Sequence, residues 1–111
     1  TGIRRVVIDA VGDLISAASD EQRLHDYLYA LVQHFTVKGV TSILTFETVG
    51  NAPEAWFGGG RFSYMSDNIL FLGTNIKDKT RRSIAVVKSR ASRHDLAIHD
   101  VEITERGLRV L

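Results

Sequence analysis

The chain has 111 residues, of which 44% are hydrophobic, a length that allows one compact domain with a genuine core. Fourteen Lys and Arg against 13 Asp and Glu give a formal charge of +1, so bulk electrostatics favour neither nucleic acid nor an anionic membrane, and any phosphate recognition must be local. The absence of cysteine excludes disulfides, thiolate zinc sites and a cysteine nucleophile, and makes a reducing, cytoplasmic setting the default expectation. There is no apolar run of about 18 residues and no charged segment leading into a short apolar one, so neither a membrane span nor a signal peptide is expected in these residues. The first residues are Thr1-Gly2-Ile3, without an initiator Met, which sets the expectation that the chain is cut from something longer.

Residues 3–9 are mostly β-branched and apolar, the pattern of a strand buried on both faces of a parallel sheet, with Asp9 at its carboxyl end. Ser19-Asp20-Glu21-Gln22 supplies helix N-cap candidates. Leu24, Leu28, Leu31, Val32 and Phe35 then recur at helical spacing until Lys38-Gly39 ends the pattern, which predicts a helix of about five turns with one apolar face. Residues 40–46 predict a second buried strand, so the first part of the chain is a β-α-β unit with an expected right-handed crossover. Residues 50–64 hold the only proline, the only tryptophan and the Gly58-Gly59-Gly60 run, with no consistent period, and predict a long loop. From Asn68 onward the pattern changes to short strands, expected at 69–72, 83–87, 97–103 and 108–111, joined by polar turns short enough for antiparallel hairpins. The fold class is therefore α/β, with a mixed sheet that is parallel at the start and antiparallel at the end. There are too few helices to cover both faces, so one face is expected to lack a partner.

Ligands of open α/β sheets bind outside the carboxyl ends of the parallel strands, which points Asp9 and Thr45-Phe46-Glu47-Thr48 at any ligand. A carboxylate on a rigid strand end can organise Mg²⁺, and Lys88 and Arg90, in Lys88-Ser89-Arg90-Ala91-Ser92-Arg93-His94-Asp95, can neutralise a transferring phosphate. No Gly-x-x-x-x-Gly-Lys-[Ser/Thr] loop is present in the 111 residues, so these are part of a set of nucleotide-handling groups. Each has a plainer reading. Asp9 can cap the turn at Asp13-Leu14-Ile15. Lys88, Arg90 and Arg93 can be charges that protect a strand edge. Gly58-Gly59-Gly60 before Arg61 reads more readily as a flexible lip than as a phosphate cradle, because no Lys-[Ser/Thr] or helix pattern follows it. His25 and His34 lie at a spacing unsuited to a shared metal and read as surface or boundary residues, and no nucleophile elbow accompanies His94-Asp95.

Arg4-Arg5-Val6-Val7-Ile8-Asp9, Thr45-Phe46-Glu47, Ser66-Asp67-Asn68-Ile69-Leu70-Phe71-Leu72 and the segment from Val87 to Asp95, in this order and spacing, resemble the C-terminal half of a KaiC-type ATPase domain of the RecA superfamily. The likeness covers nearly the whole chain, and Ile103-Thr104-Glu105-Arg106-Gly107-Leu108 resembles that family's domain end. It implies a RecA-like three-layer fold, with residues 1–111 as the half-domain that lacks the phosphate loop. The cofactors it implies are ATP and Mg²⁺, with Asp9 as the Walker B carboxylate at the metal. Glu47 or Thr45 would sense the γ-phosphate. Lys88 and Arg90 would act in trans on the nucleotide of a neighbouring subunit, where His94 would also contact it. Thr45, Ser92, His94 and Asp95 thus join Asp9 as nucleotide-binding candidates, and Lys88, Arg90 and Glu47 are the catalytic ones. Two positions depart from the family pattern: Ala91 stands where Gly is usual, and Leu96 where Lys is common. The implied whole is a homo-oligomeric ring, expected to be a hexamer, that hydrolyses ATP and could also phosphorylate itself, whereas the 111 residues alone are expected to be inactive. Two alternatives stay open. One is a RecA-like nucleic-acid-binding protein using Arg61, Phe62 and Tyr64 of the 50–64 loop. The other is a non-catalytic ring-assembly module.

Overall fold

The computed structural model describes residues 2–47, 65–76 and 79–111. The 50–64 loop, with its glycine run and its nucleic-acid candidates Arg61, Phe62 and Tyr64, lies outside these residues. The chain groups into two compact units, Thr1–Met65 and Ser66–Leu111, each taken by itself below.

The first unit runs β1 (Arg5–Ile8), α1 (Val11–Ala17), α2 (Glu21–Val37) and β2 (Thr41–Leu44). β1 and β2 pair in parallel with Arg5 opposite Thr41 and Ile8 opposite Leu44, so both chains leave the sheet on the same edge. The long helix starts where the sequence places it. Asp20 is its N-cap, and its side chain accepts a hydrogen bond from the Arg23 backbone N–H at 3.2 Å, satisfying one donor that the first turn leaves without a helical partner. The helix stops at Gly39, whose φ of +70° is the left-handed conformation that glycine adopts without a Cβ clash. α1 is an element that periodicity misses: seven residues are too few to display a helical repeat.

Leu28, from the apolar face of α2, and Val11, from the start of α1, are 1% and 0% exposed, and with Met65 they form the core of this unit. Ile8, Leu24, Val32, Leu44 and Phe46 pack around them. Burying a side chain of the size of Leu28 contributes about 1.5–3 kcal/mol. His25 is itself buried, which corrects its reading as a surface or boundary residue; His34 is exposed. The strands also differ from expectation. Val6 and Ile8 are half-buried, but Val7 and Ile43 are 63% and 56% exposed, so β1 and β2 are covered on one face among the described residues. Alternation along a strand sends neighbouring side chains to opposite faces, and α2 supplies a layer for only one of them.

The second unit is an antiparallel sheet in the order β3 (Asn68–Ile76), β4 (Thr80–Ser89), β5 (His99–Thr104) and β6 (Gly107–Val110). Parallel pairing thus comes first and antiparallel pairing last, as the pattern change at Asn68 predicts. β3 and β4 are nine and ten residues long, longer than the apolar runs at 69–72 and 83–87, because ladder pairing carries polar Thr74, Asn75, Arg81 and Arg82 into register. A two-residue turn closes the last hairpin, with Thr104 opposite Gly107, whose φ is +113°. Cross-strand partners share a face, so Leu70, Leu72 and Ile76 of β3 lie on the same side as Ile103 of β5 and Leu108 and Val110 of β6. All six are exposed among the described residues, whereas Val101, on the same side, is buried and Ile84 and Val86 are half-buried.

Candidate functional site

Asp9 follows directly on the last residue of β1, and Thr45 on the last residue of β2. Because Ile8 and Leu44 are register partners in a parallel ladder, the next residue on each chain emerges beside the other. The Thr45 hydroxyl donates to Asp9 Oδ1 at 2.5 Å, the Thr45 N–H donates to the Ile8 carbonyl at 3.1 Å, and the Thr45 carbonyl accepts from the Val11 N–H at 2.9 Å. The threonine is therefore held at three points, and it holds the carboxylate. The Asp9–Ala10 peptide is cis. Ala10, not Asp9, accepts the Asp13 N–H through its carbonyl at 3.3 Å, while the Asp9 carboxylate reaches across to β2. Asp9 and Glu47 are exposed and Thr45 is half-buried. Residues 9 and 45 are thus brought together at one strand-end edge.

The second group of candidates depends on a local irregularity. Along most of β3 and β4 the paired residue numbers follow one register, with Leu70 opposite Val86, but Ile69 is opposite Lys88, so Val87 is an extra residue on β4. Beyond this bulge Asn68 faces Ser89, and the Arg90 N–H donates to the Asp67 carbonyl at 2.8 Å. Two-residue alternation then puts Lys88 and Arg90 on one face and Ser89 on the other. Ser89 Oγ donates to Asn68 Oδ1 at 3.3 Å and shares a 2.6 Å hydrogen bond with Ser92 Oγ, which ties Ser92 to the strand end. Arg90 Nη1 donates to Asp67 Oδ1 at 3.0 Å. Lys88 is half-buried and Arg90 exposed. β5 pairs with β4 only at 82–84, so β3 is the one ladder partner of the Lys88 end among the described residues.

After Arg90 the chain turns at Ala91, whose φ is +66°. His94 is half-buried and Asp95 exposed. The Asp95 carboxylate accepts the Ala97 N–H at 2.8 Å and meets His99 Nε2 at 2.8 Å, an ion pair when His99 is protonated. The Ala97 N–H, and after it His99, hold the Asp95 carboxyl below its ordinary value of 3.8. Asp95 is thus engaged with its own segment, and with His99 it forms a clasp from the turn to the start of β5.

Sequence reasoning singles out Lys88 and Arg90 but gives no part to Asp67, Ser89 or His99. Asp67 stands in the Ser66-Asp67-Asn68 pattern, and that pattern was the available signal; the bulge that brings it opposite Arg90 has no signature in the order of residues. Chemically, the first group offers a fixed carboxylate and a hydroxyl, and the second offers two cations on one face. Among the described residues there is no cluster of three or more His, Cys, Asp or Glu to hold a metal, and no helix is long and apolar enough to cross a membrane.

Comparison with known proteins places the chain. A family model described as "ATPase: KaiC" matches residues 1–111. A UPF0273 protein of Methanopyrus kandleri is 33% identical over 109 residues, which are 96% of this chain and 41% of that protein. The circadian clock protein KaiC2 of Synechocystis is 29% identical over 111 residues, 99% of this chain and 19% of the relative. The crystal structure of a KaiC-like protein from the hyperthermophilic archaeon Pyrococcus horikoshii superposes with a TM-score of 0.78 at 25% identity, covering 97% of this chain and 46% of the other. The chain therefore spans less than half the length of each of these relatives.

Proposed function

The chain belongs to the KaiC ATPase family, and from that membership we propose that residues 1–111 are the C-terminal half of its ATPase domain, contributing the Walker B carboxylate and the trans-acting cations to ATP hydrolysis at the interfaces of a ring. The observation that carries this reading is the pairing of Asp9 with Thr45 at the carboxyl ends of two adjacent parallel strands, where ligands of open α/β sheets bind.

Asp9 and Thr45 suit Mg²⁺. Both present hard oxygen donors, and Mg²⁺ in nucleotide sites is held by one or two carboxylates with substrate phosphates and waters, so a larger acidic cluster is not required. On this reading Asp9 holds the metal, which when bound neutralises charge on the phosphates. Thr45 sets the orientation of the Asp9 carboxylate, and Thr45 or the exposed Glu47 provides the polar group nearest the terminal phosphate. Lys88 and Arg90, on one face of β4 and its extension, reach the nucleotide of a neighbouring copy and supply positive charge where it develops in the transition state. Ser92 and His94 belong to the same contact. The sequence holds no Gly-x-x-x-x-Gly-Lys-[Ser/Thr] run, so the phosphate cradle is assigned to sequence outside these residues.

The test is a mixing experiment on the assembled ATPase that contains this chain. Asp9→Asn and the Lys88→Ala, Arg90→Ala double variant are each expected to lower ATP turnover by on the order of 10³-fold, the scale at which trans arginines act. Mixed rings of the two are expected to regain part of the turnover, at those interfaces where the double-variant copy supplies an intact Asp9 and the Asp9→Asn copy supplies intact Lys88 and Arg90. A double variant that assembles normally and hydrolyses ATP at the unsubstituted rate overturns the assignment.

A further inference from the structure

Arg90 and Asp67 are joined twice, through Arg90 N–H to the Asp67 carbonyl at 2.8 Å and through Nη1 to Asp67 Oδ1 at 3.0 Å. The juxtaposition is a product of the β4 bulge. In the register that holds from Leu70 to Ile76, Asp67 would face Ser89; the extra residue at Val87 advances β4 by one position and puts Arg90 there instead. A bulge of this kind re-aims side chains at the end of a ladder. Both side chains are exposed, at 53% and 66%, and exposed ion pairs contribute little to stability, so the pair is not explained by what it adds to the fold. Its geometric effect is larger. An arginine on a strand end has a long, freely rotating stem, whereas its guanidinium is a rigid planar fork, so a carboxylate contact at Nη1 restricts where the charged head group sits.

We propose that Asp67 is a positioning residue: it orients the Arg90 guanidinium for the nucleotide of the neighbouring copy. The inference rests on the trans role of Arg90 proposed above. Asp67 acts only through Arg90, so its loss misplaces the cation without altering nucleotide affinity, and a group that acts in the transition state registers in kcat and not in KM.

The experiment is steady-state ATP hydrolysis by the assembled ATPase carrying Asp67→Asn, Asp67→Glu, Arg90→Ala, and Asp67→Asn with Arg90→Ala. Asp67→Asn is expected to lower kcat on the order of 10-fold with KM unchanged. Asp67→Glu is expected to restore most of that loss. In the Arg90→Ala background Asp67→Asn is expected to change kcat by less than about twofold, because the group it positions is gone. An Asp67→Asn variant with unsubstituted kcat overturns the inference. So does one with raised kcat, which would make Asp67 a brake on the cation, or an equal loss in both backgrounds, which would make it a structural residue. In each of those cases a slow Arg90→Ala variant leaves the trans assignment standing. An Arg90→Ala variant as fast as the unsubstituted assembly overturns that assignment and this inference with it.

Discussion

Ala91 carries a φ of +66°, in the region where an L side chain crowds the following carbonyl oxygen. The turn after Arg90 must be sharp there, since the hydroxyl oxygens of Ser89 and Ser92 meet at 2.6 Å across it. A glycine at this place would adopt the same φ without that crowding. Ala91→Gly is expected to stabilise the chain by about 0.5–1 kcal/mol, the relief of the left-handed strain less the greater freedom of glycine in the unfolded state. A urea titration checks it: the midpoint is expected to rise with no change in slope. Asp95 is the second informative residue. Its carboxyl lies below the ordinary 3.8, so the unfolded chain takes up the proton first as pH falls. The stability that the Asp95 contacts provide is therefore present above 3.8 and is lost as pH drops through the lower folded value. An NMR titration following the Ala97 amide and the His99 ring is expected to show this acid step, and Asp95→Asn is expected to abolish it.

Elements differ in how far the residue order foretells them. The helix Glu21–Val37 is legible because its apolar residues recur at its own period and its ends carry Asp20 and Gly39, each with a local reason to be there. Leu28 is the point at which that pattern becomes packing. Leu28→Ala is expected to cost about 2–5 kcal/mol, the range for deleting a fully buried leucine side chain, measured by thermal or denaturant unfolding. Tyr27, one position away and 61% exposed, marks how narrow the buried stripe is. Strand positions were legible as apolar runs, but their ends were not, because a strand ends where its partner stops pairing. β4 illustrates this: its apolar run covers 83–87, and the ladder with β3 extends it from Thr80 to Ser89.

At the scale of the whole molecule, the fold class and the family follow from information that is local in the chain: a strand ending in Asp9, a helix with its caps, a change to hairpin spacing at Asn68, and the order of four short motifs. Each is written in neighbouring residues, and neighbouring residues are what propensity and periodicity sense. The candidate site was legible only as a set of residue types. Asp9 and Thr45 are 36 positions apart and meet because Ile8 and Leu44 happen to be register partners. Asp67 and Arg90 are 23 apart and meet because one extra residue at Val87 shifts a ladder. Likewise the exposure of Val7 and Ile43 was hidden in a run that reads as buried, since whether a strand face is covered depends on what lies against it. The residue order alone therefore determined which elements form and which chemistry they carry. The tertiary structure decided which groups touch, because register and bulges are set by long-range backbone hydrogen bonding that no short stretch of sequence encodes.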